Sequence, residues 1–409
     1  MPEIIAILEV LSPNLSANTL KHLRLLIEAT LSMTGRVTML GISRWTEKGG
    51  SYRTVQRFFK KSHKWAELRW LLIKSQLNEA CIGTWVLIGD EVVVTKSGKK
   101  THGLSRFFSS IQNQAVPSLC FINLSLLHVE SSQSYPLIAE QLLKKKAQET
   151  APKQPRGAKK RGRPKGSKNK NRANVVLSAF QLQLQSCIRQ GLGLIGHSLT
   201  IDYFVYDGAL GNNAGLQTVK QVGLHLISKL RHDSVLYFPF IGESTGRGQP
   251  KKYGDKLTLE TLTEENLCET RVKKNIETKI YQVQVWHKKF SSLLNVVVLV
   301  KTNRKTGKIA KVLLFSDDLE LSHDKLIHYY RLRFQIEFNF RDAKQYWGLE
   351  DFMNIKEAQV TNAANFSLFM VTFSQLLLSK KVSRVSQQHK NSINWECVVQ
   401  TPVNWFLKT

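Results

Sequence analysis

Residues 324–347 read DKLIHYYRLRFQIEFNFRDAKQYW, and their apolar periodicity predicts one long helix. Within this stretch Tyr330, Arg333, Glu337 and Lys344 follow the spacing Y-x2-R-x3-E-x6-K. Positions seven apart on an α-helix drift by only about 20° around its axis, and positions four apart share a face. The helix is therefore predicted to carry a carboxylate, two cations and a phenol along one stripe.

The other side of this predicted helix is apolar, since Leu332, Ile336 and Phe340 point away from the stripe. A solvated face held by ion pairs four residues apart (Arg333, Glu337, Arg341) is the alternative interpretation. Because four residue types match fixed positions together, we favour a functional stripe.

Working outward from the helix, two earlier acids lie on predicted strands. The sequence around Asp90 is apolar and β-branched, and the predicted strand Leu199–Tyr206 ends in Asp207. Strand ends in open α/β sheets carry ligands and catalytic groups, although an Asp before Gly is also a common turn residue. Together with Glu337, these acids are candidates for a metal site.

The predicted secondary structure of the remaining sequence changes along the chain. Residues 1–80 have helical periodicity, and residues 256–315 are mostly strand-like. Further helices are predicted at Ala214–Leu226 and Asn362–Leu378. The pattern therefore predicts an α/β protein with a helical N-terminal part.

A basic helix is predicted from about Ser51, after a turn that contains Gly49 and Gly50. Its basic side chains Arg53, Arg57 and Lys60 lie opposite its apolar ones. This outline is typical of a helix-turn-helix, whose second helix enters the major groove of DNA. An ordinary amphipathic helix with a solvated face fits equally well.

Charge points to a polyanionic partner. Lys and Arg total 59 against 31 Asp and Glu, so the formal net charge is +28. Residues 144–172 alone hold 13 Lys or Arg and one Glu, and such a block is expected to be a mobile loop. Inside it, Arg161-Gly162-Arg163-Pro164 has the core of an AT-hook, which lays two arginines in a narrow minor groove. An unspecific basic linker is the equal alternative.

Several classes of protein are disfavoured by composition. The five cysteines are scattered and form no CxxC or Cys/His cluster, which argues against structural zinc and disulfides. The longest apolar run, Leu293–Val300, is too short for a membrane span, and the N-terminus lacks the basic start of a signal peptide. We expect a cytoplasmic protein without a membrane partner.

The chain resembles the DDE transposases of the insertion-sequence-4 superfamily, whose mark is this Y-R-E-K helix after two strand aspartates. The stretch Ile88-Gly89-Asp90-Glu91, with Lys96 and Gly98 after it, looks like the first block of that family. Residues 200–209 (TIDYFVYDGA) look like the second block. The resemblance favours Asp90, which closes its strand in the family pattern, over Glu91. Asp207 is preferred over Asp202 because it precedes Gly208 at the end of the predicted strand.

The resemblance implies a ribonuclease-H-like catalytic core with a β-rich insertion and an N-terminal helical domain. It implies that Asp90, Asp207 and Glu337 are catalytic and hold two Mg²⁺ ions, for which Mn²⁺ is a possible substitute. Such a metal pair stabilises the attacking and leaving oxygens of a phosphoryl displacement. Arg333 and Lys344 would then grip phosphates near the cleavage point.

The resemblance also implies that two aromatic residues contact DNA. Tyr330 would position or stack on the strand. Trp286, in the insertion, would stack on a flipped base, since an aromatic face accepts any extruded base. From the residue alone, a tryptophan packed in the core is the favoured interpretation of Trp286.

The expected domain organisation has five segments. They are a helical DNA-binding domain (1–80), the first part of the core (81–255) with its basic loop (144–172), the β-rich insertion (256–315), the last part of the core (316–380) and a C-terminal tail (381–409).

The resulting hypothesis is a transposase that cleaves element ends and transfers strands to target DNA. Its partners would be double-stranded DNA, as terminal inverted repeats and target, and a second copy in a synaptic homodimer. It would be associated with the bacterial nucleoid. A catalytically silent DNA-binding repressor and a nuclease of similar fold are the alternatives, and the three intact acids favour the transposase.

Overall fold

The computed structural model describes residues 2–46, 50–77, 83–109, 112–144, 172–242 and 251–388, with side chains through residue 379. These residues divide into two compact units. Unit 1 takes its residues from 1–142, 183–206 and 328–409, and unit 2 from 143–182 and 207–327.

Helices occur in both units. In chain order they are α1 (Pro2–Glu9), α2 (Ala17–Ser32), α3 (Met39–Arg44), α4 (Tyr52–Lys60), α5 (Trp65–Lys74), α6 (Ala179–Ile195), α7 (Asn213–Lys220), α8 (His323–Leu332), α9 (Gln335–Gln345) and α10 (Glu357–Gln388). Helices α1–α5, α9 and α10 belong to unit 1, and α7 belongs to unit 2.

Unit 1 is built on a mixed sheet. Its strands are β1 (Trp85–Thr95), β2 (Ser105–Ser109), β3 (Gln114–His128), β4 (Gln133–Gln141) and β5 (Ile201–Val205). The order is β2-β3-β1-β5, with β4 also on β3, and β1 and β5 run parallel while the other pairs are antiparallel. Residues 118–127 of β3 are all buried, and all of them except Ser118, Asn123 and Ser125 are apolar.

Helix α10 is the core helix of unit 1. Side chains such as Leu368, Phe369 and Phe373 are fully buried, and the helix packs on β4, α4 and α5. Polar contacts add to this packing, because Asn362 accepts a hydrogen bond from the indole of Trp65 at 2.8 Å and donates one to the carbonyl of Phe59 at 2.7 Å. The N-terminal helices are thereby anchored within unit 1.

Unit 2 is built on antiparallel strands. They are β6 (His225–Leu230), β7 (Leu236–Pro239), β8 (Tyr253–Lys256), β9 (Leu267–Lys273), β10 (Ile276–His287), β11 (Leu294–Asn303) and β12 (Ile309–Ser316). The order is β6-β12-β11-β10-β7-β8, and β9 also pairs with β10. The β-like texture of residues 256–315 corresponds to β8–β12. The mixed α/β character expected from the sequence is confirmed.

Three local predictions were wrong. The predicted helix over 324–347 is two helices, because the backbone tightens after Arg333: the N–H groups of Phe334, Ile336 and Glu337 each donate to the carbonyl three residues earlier. The helix predicted to reach Leu226 ends at Lys220, and Gly223 (φ +85°) turns the chain into β6. Asp90 does not close its strand, since β1 continues to Thr95 with β3 paired along its whole length.

Some predictions lie partly or wholly outside the described residues. Arg161, Arg163, Gly49 and the tail beyond residue 388 are among these. The helix-turn-helix and the domain boundaries stay predictions. Among the described helices, none is long and apolar enough to cross a bilayer.

Candidate active site

The guanidinium of Arg333 lies between two of the predicted catalytic acids. Its Nη1 donates to Oδ2 of Asp90 at 2.6 Å, and its Nη2 lies 3.7 Å from Oε1 of Glu337. The side chains of Arg333 and Asp90 are only 15% and 20% exposed, whereas that of Glu337 is 43% exposed. Unit 1 therefore brings Asp90, Arg333 and Glu337 together.

Asp90 is positioned by the sheet. It lies in β1 opposite Asn123 of β3, and the side chain of Asn123 is fully buried. The second carboxylate oxygen, Oδ1, accepts a hydrogen bond from the backbone N–H of Glu91 at 2.9 Å. Both oxygens of Asp90 are thus engaged.

Glu337 is positioned by the packing of α9 on the sheet. It lies in the first turn of α9, where a carboxylate is favoured by the helix dipole. The opposite face is buried through Ile336 and Phe340, as the sequence predicted. Asn339 reinforces the contact, because its amide donates to Ser134 Oγ of β4 at 2.6 Å. The helix therefore holds Glu337 on the exposed side.

Tyr330 lies on α8, before the break, so the predicted single stripe does not run through one regular helix. The preceding residue, Tyr329, is the buried one, and its ring contacts that of Tyr203 at 5.6 Å between centroids. Burial raises the pKa of Tyr329. Tyr330 itself is partly exposed.

Lys344 is held by protein groups. Its Nζ donates to the carbonyl of Val93 in β1 at 2.9 Å and pairs with Glu350 at 2.8 Å. A second lysine, Lys96, donates to the carbonyls of Glu350 and Phe352, and burial lowers its pKa to about 8. Lys96 lies in the first family-like block, but its position in the sequence suggests no role for it, since only the fold places it beside Glu350.

Asp207 belongs to unit 2. Its Oδ1 accepts a hydrogen bond from the backbone N–H of Ala209 at 2.9 Å, and its own carbonyl accepts one from Ser228. It therefore makes the turn contact expected of an Asp before Gly, and its side chain stays partly exposed. The competing acid Asp202 is an exposed residue of β5 in unit 1.

The predicted DNA contacts on α4 face solvent. Arg53, Arg57 and Lys60 are exposed, whereas Phe58 and Phe59 are buried. Ser51 begins this helix as its N-cap. The amphipathic pattern is confirmed, and both of its interpretations remain compatible with it.

Trp286 lies in β10 beside a basic and aromatic surface of unit 2. Lys252 Nζ lies 3.4 Å from the centre of the Trp286 ring. Lys288 Nζ lies 4.4 Å from the ring centre of Tyr237, and Arg172 Nη1 donates to the hydroxyl of Tyr253. Trp286 is partly exposed rather than fully buried. Cations interleaved with aromatic rings are typical of surfaces that bind nucleic acid.

Unit 2 also holds an acidic group that sequence reasoning missed. One ligand atom each from Glu269, His323 and Asp324 lies within 4.8 Å of the others. Arg271 already pairs with Glu269, and it lies 3.5 Å from Asp324. No spacing in the sequence signals this group, since its members come from β9 and α8.

The donor set around Arg333 fits a divalent cation. Two carboxylates from different elements share one positive group, and oxygen ligands of this kind suit Mg²⁺. In this structure Arg333 is the cation that lies between Asp90 and Glu337.

Comparison with known proteins gives one family. The family model described as DDE superfamily endonuclease matches residues 10–289. No curated protein matches the chain.

Proposed function

The chain belongs to the DDE superfamily endonuclease family, and from that membership we propose that it is a transposase of the Y-R-E-K type. Family membership implies metal-dependent cleavage of DNA. The proposal adds that the cleaved end is joined to a target. The main support for a Y-R-E-K site is that Asp90 and Glu337 share the guanidinium of Arg333.

Asp90, Asp207 and Glu337 are the proposed metal ligands. Asp207 follows the end of β5 at Val205, whereas Asp202 lies within that strand. Because catalytic groups of open α/β sheets lie at strand ends, this position supports Asp207 over Asp202. Two bound Mg²⁺ ions, with Mn²⁺ as a substitute, would act as Lewis acids on the attacking and leaving oxygens.

The proposed reaction has two steps at the same site. In the first, water attacks a phosphorus at the element end, and the bond to the 3′ oxygen breaks to leave a 3′-OH. In the second, that 3′-OH attacks a phosphorus of the target strand, and the bond from that phosphorus to the target's own 3′ oxygen breaks to release a target 3′-OH. Arg333 and Lys344 orient phosphates, Tyr330 positions the strand, and the partly exposed ring of Trp286 stacks on an extruded base.

Synapsis of two element ends makes a homodimer on DNA the proposed active assembly. Terminal inverted repeats and target DNA are its proposed partners, and association with the bacterial nucleoid follows from them. The exposed basic face of α4 and the surface around Lys252 and Lys288 support contact with duplex beyond the cleavage point.

The test is a cleavage and joining assay with the full chain and Mg²⁺. A labelled duplex that carries the DNA flanking the gene is mixed with an unlabelled plasmid. We expect nicked label first and then label covalently joined to the plasmid. Cleavage without joining would identify the nuclease alternative, and binding without cleavage would identify the repressor.

The basic block is expected to bind DNA from outside the catalytic residues. Deleting residues 152–171 should lower DNA affinity and flatten its salt dependence, by about 0.9 in the log–log slope for each phosphate that the protein no longer neutralises. Anisotropy titrations at several salt concentrations measure both quantities. The melting temperature should stay unchanged, because the block has almost no apolar residues to bury.

A matched pair of variants separates the two interpretations of this block. Replacing Arg161 and Arg163 with alanine removes the same charge as replacing Lys159 and Lys160. If the AT-hook interpretation is right, only the arginine variant loses more affinity on A/T-rich than on G/C-rich duplex. Equal losses from both variants on both duplexes would leave a plain electrostatic tether.

A further inference from the structure

Arg333 neutralises the charge of the Asp90 carboxylate and also hinders a metal ion from reaching it. Oδ1 of Asp90 accepts from the N–H of Glu91 at 2.9 Å, and Oδ2 accepts from Arg333 at 2.6 Å. Each oxygen keeps a second lone pair, but a divalent cation at Asp90 would lie against the positive guanidinium at Oδ2, which repels it. The bond to Glu91 is part of the local backbone geometry, so the bond to Arg333 is the one that a cation displaces.

The hydrogen bonds of the Arg333 guanidinium are incomplete, so this side chain can leave Asp90 for a better set of acceptors. Among the described residues its Nε is buried without a hydrogen-bond partner, and its Nη2 lies 3.7 Å from Glu337, beyond hydrogen-bond distance. A buried donor without a partner carries a desolvation cost. The guanidinium therefore gains from a new acceptor such as a phosphate oxygen.

The other nearby cation does not share this position. Lys344 Nζ is held by the carbonyl of Val93 and by the carboxylate of Glu350. Arg333, rather than Lys344, therefore pairs with the carboxylate of Asp90.

We propose that Arg333 is a placeholder cation that competes with metal for Asp90 and leaves Asp90 when it binds a DNA phosphate. This inference rests on the proposed metal site. It makes metal binding and DNA binding mutually favourable, since each ligand removes a competitor of the other, and thermodynamic linkage requires the same coupling in both directions. The protein is then held in a low-affinity metal state until DNA arrives.

The first test measures Mn²⁺ binding to the full chain without DNA, by electron paramagnetic resonance of the free ion. Arg333→Gln should bind Mn²⁺ more tightly than the wild type, by on the order of tenfold, which corresponds to about 1.4 kcal/mol. Arg333→Met, which keeps a long side chain without donors, provides a second variant if the first is unstable. Asp90→Asn identifies the sites that depend on Asp90.

The matched control is Arg331→Gln. It removes the same charge two residues earlier, from an exposed side chain without an ion pair among the described residues. If Mn²⁺ binding tightens equally in both variants, the cause is a general loss of charge repulsion. That result would overturn the proposal that Arg333 competes with metal for Asp90. Absence of any Asp90-dependent Mn²⁺ site in every variant would overturn the proposed metal site itself.

The second test adds a 20-base-pair duplex of the flanking DNA. In the wild type the duplex should tighten Mn²⁺ binding, and Mn²⁺ should tighten duplex binding by the same factor. In Arg333→Gln this mutual factor should fall, because neither ligand then has Arg333 to displace and only their direct contact couples them. An undiminished factor in Arg333→Gln, with the metal site intact, would overturn the transfer of Arg333 to phosphate while leaving the proposed function standing.

Discussion

Alanine at Asp90, Asp207 or Glu337 is expected to abolish cleavage of terminal DNA while leaving DNA binding nearly unchanged. A metal ion held by these carboxylates would stabilise the developing negative charge by several kcal/mol, so losing one of them should lower the cleavage rate by roughly a thousandfold or more. The phosphate grip depends on cations elsewhere and should persist. Gel assays of cleavage with Mg²⁺ and of binding without it measure the two effects.

The neighbouring acids provide matched controls for this prediction. Glu91→Ala removes a carboxylate next to Asp90 along β1, and Asp202→Ala removes one from the exposed face of β5. Both variants should cleave at close to the wild-type rate. Full cleavage by Asp207→Ala, together with a loss in Asp202→Ala, would move the second acid to Asp202.

Asp90 requires one further control because its loss leaves Arg333 without its closest partner. Asp90→Asn keeps the shape of the side chain and one acceptor oxygen, so the fold around β1 should persist. Equal melting temperatures for wild type and Asp90→Asn, with cleavage lost, would assign the effect to chemistry. A large drop in melting temperature would make Asp90 a structural residue.

The second large effect is expected from Arg69, which lies in α5 and is 1% exposed. Its guanidinium donates to the carbonyl of Leu137 in β4 at 3.0 Å and to the carbonyl and side chain of Asn365 in α10 at 3.2 and 2.8 Å. Arg69→Ala leaves these buried acceptors unpaired and opens a cavity. We expect it to lower the free energy of unfolding by about 3–5 kcal/mol.

Urea denaturation followed by circular dichroism measures this loss. Arg24→Ala is the control, since Arg24 is 43% exposed and pairs with Glu28 one turn away on α2. An exposed helical pair of this kind is worth about 0.3–0.5 kcal/mol. A loss below about 1 kcal/mol for Arg69→Ala would contradict the view that these hydrogen bonds hold α5, β4 and α10 together.

The candidate site could be predicted from the sequence only in part. The proximity of Arg333 and Glu337 follows from their spacing of four and is retained across the break between α8 and α9. The bond from Arg333 to Asp90 joins residues 243 positions apart, and no local pattern predicts it. The same holds for Glu269 and His323, which no short spacing connects.

The sequence itself determined those helices and strands whose buried residues recur at helical or strand spacing. Helix α4 shows basic and apolar residues on opposite faces because one face is buried. Strands β3 and β11 show mostly apolar stretches because residues on both of their faces are buried. The net charge of +28 likewise predicts a polyanionic partner without any knowledge of the fold.

Tertiary structure decided where those patterns stop. β1 continues past Asp90 because β3 pairs with it to Thr95, and the helix predicted over 324–347 breaks at Arg333 although no proline or glycine lies there. It also decided which cation neutralises which acid: Arg333 pairs with Asp90, while Lys344 is bound to Val93 and Glu350. Periodicity reports burial along one element, whereas hydrogen bonds and ion pairs between distant elements depend on distances that only the folded chain sets.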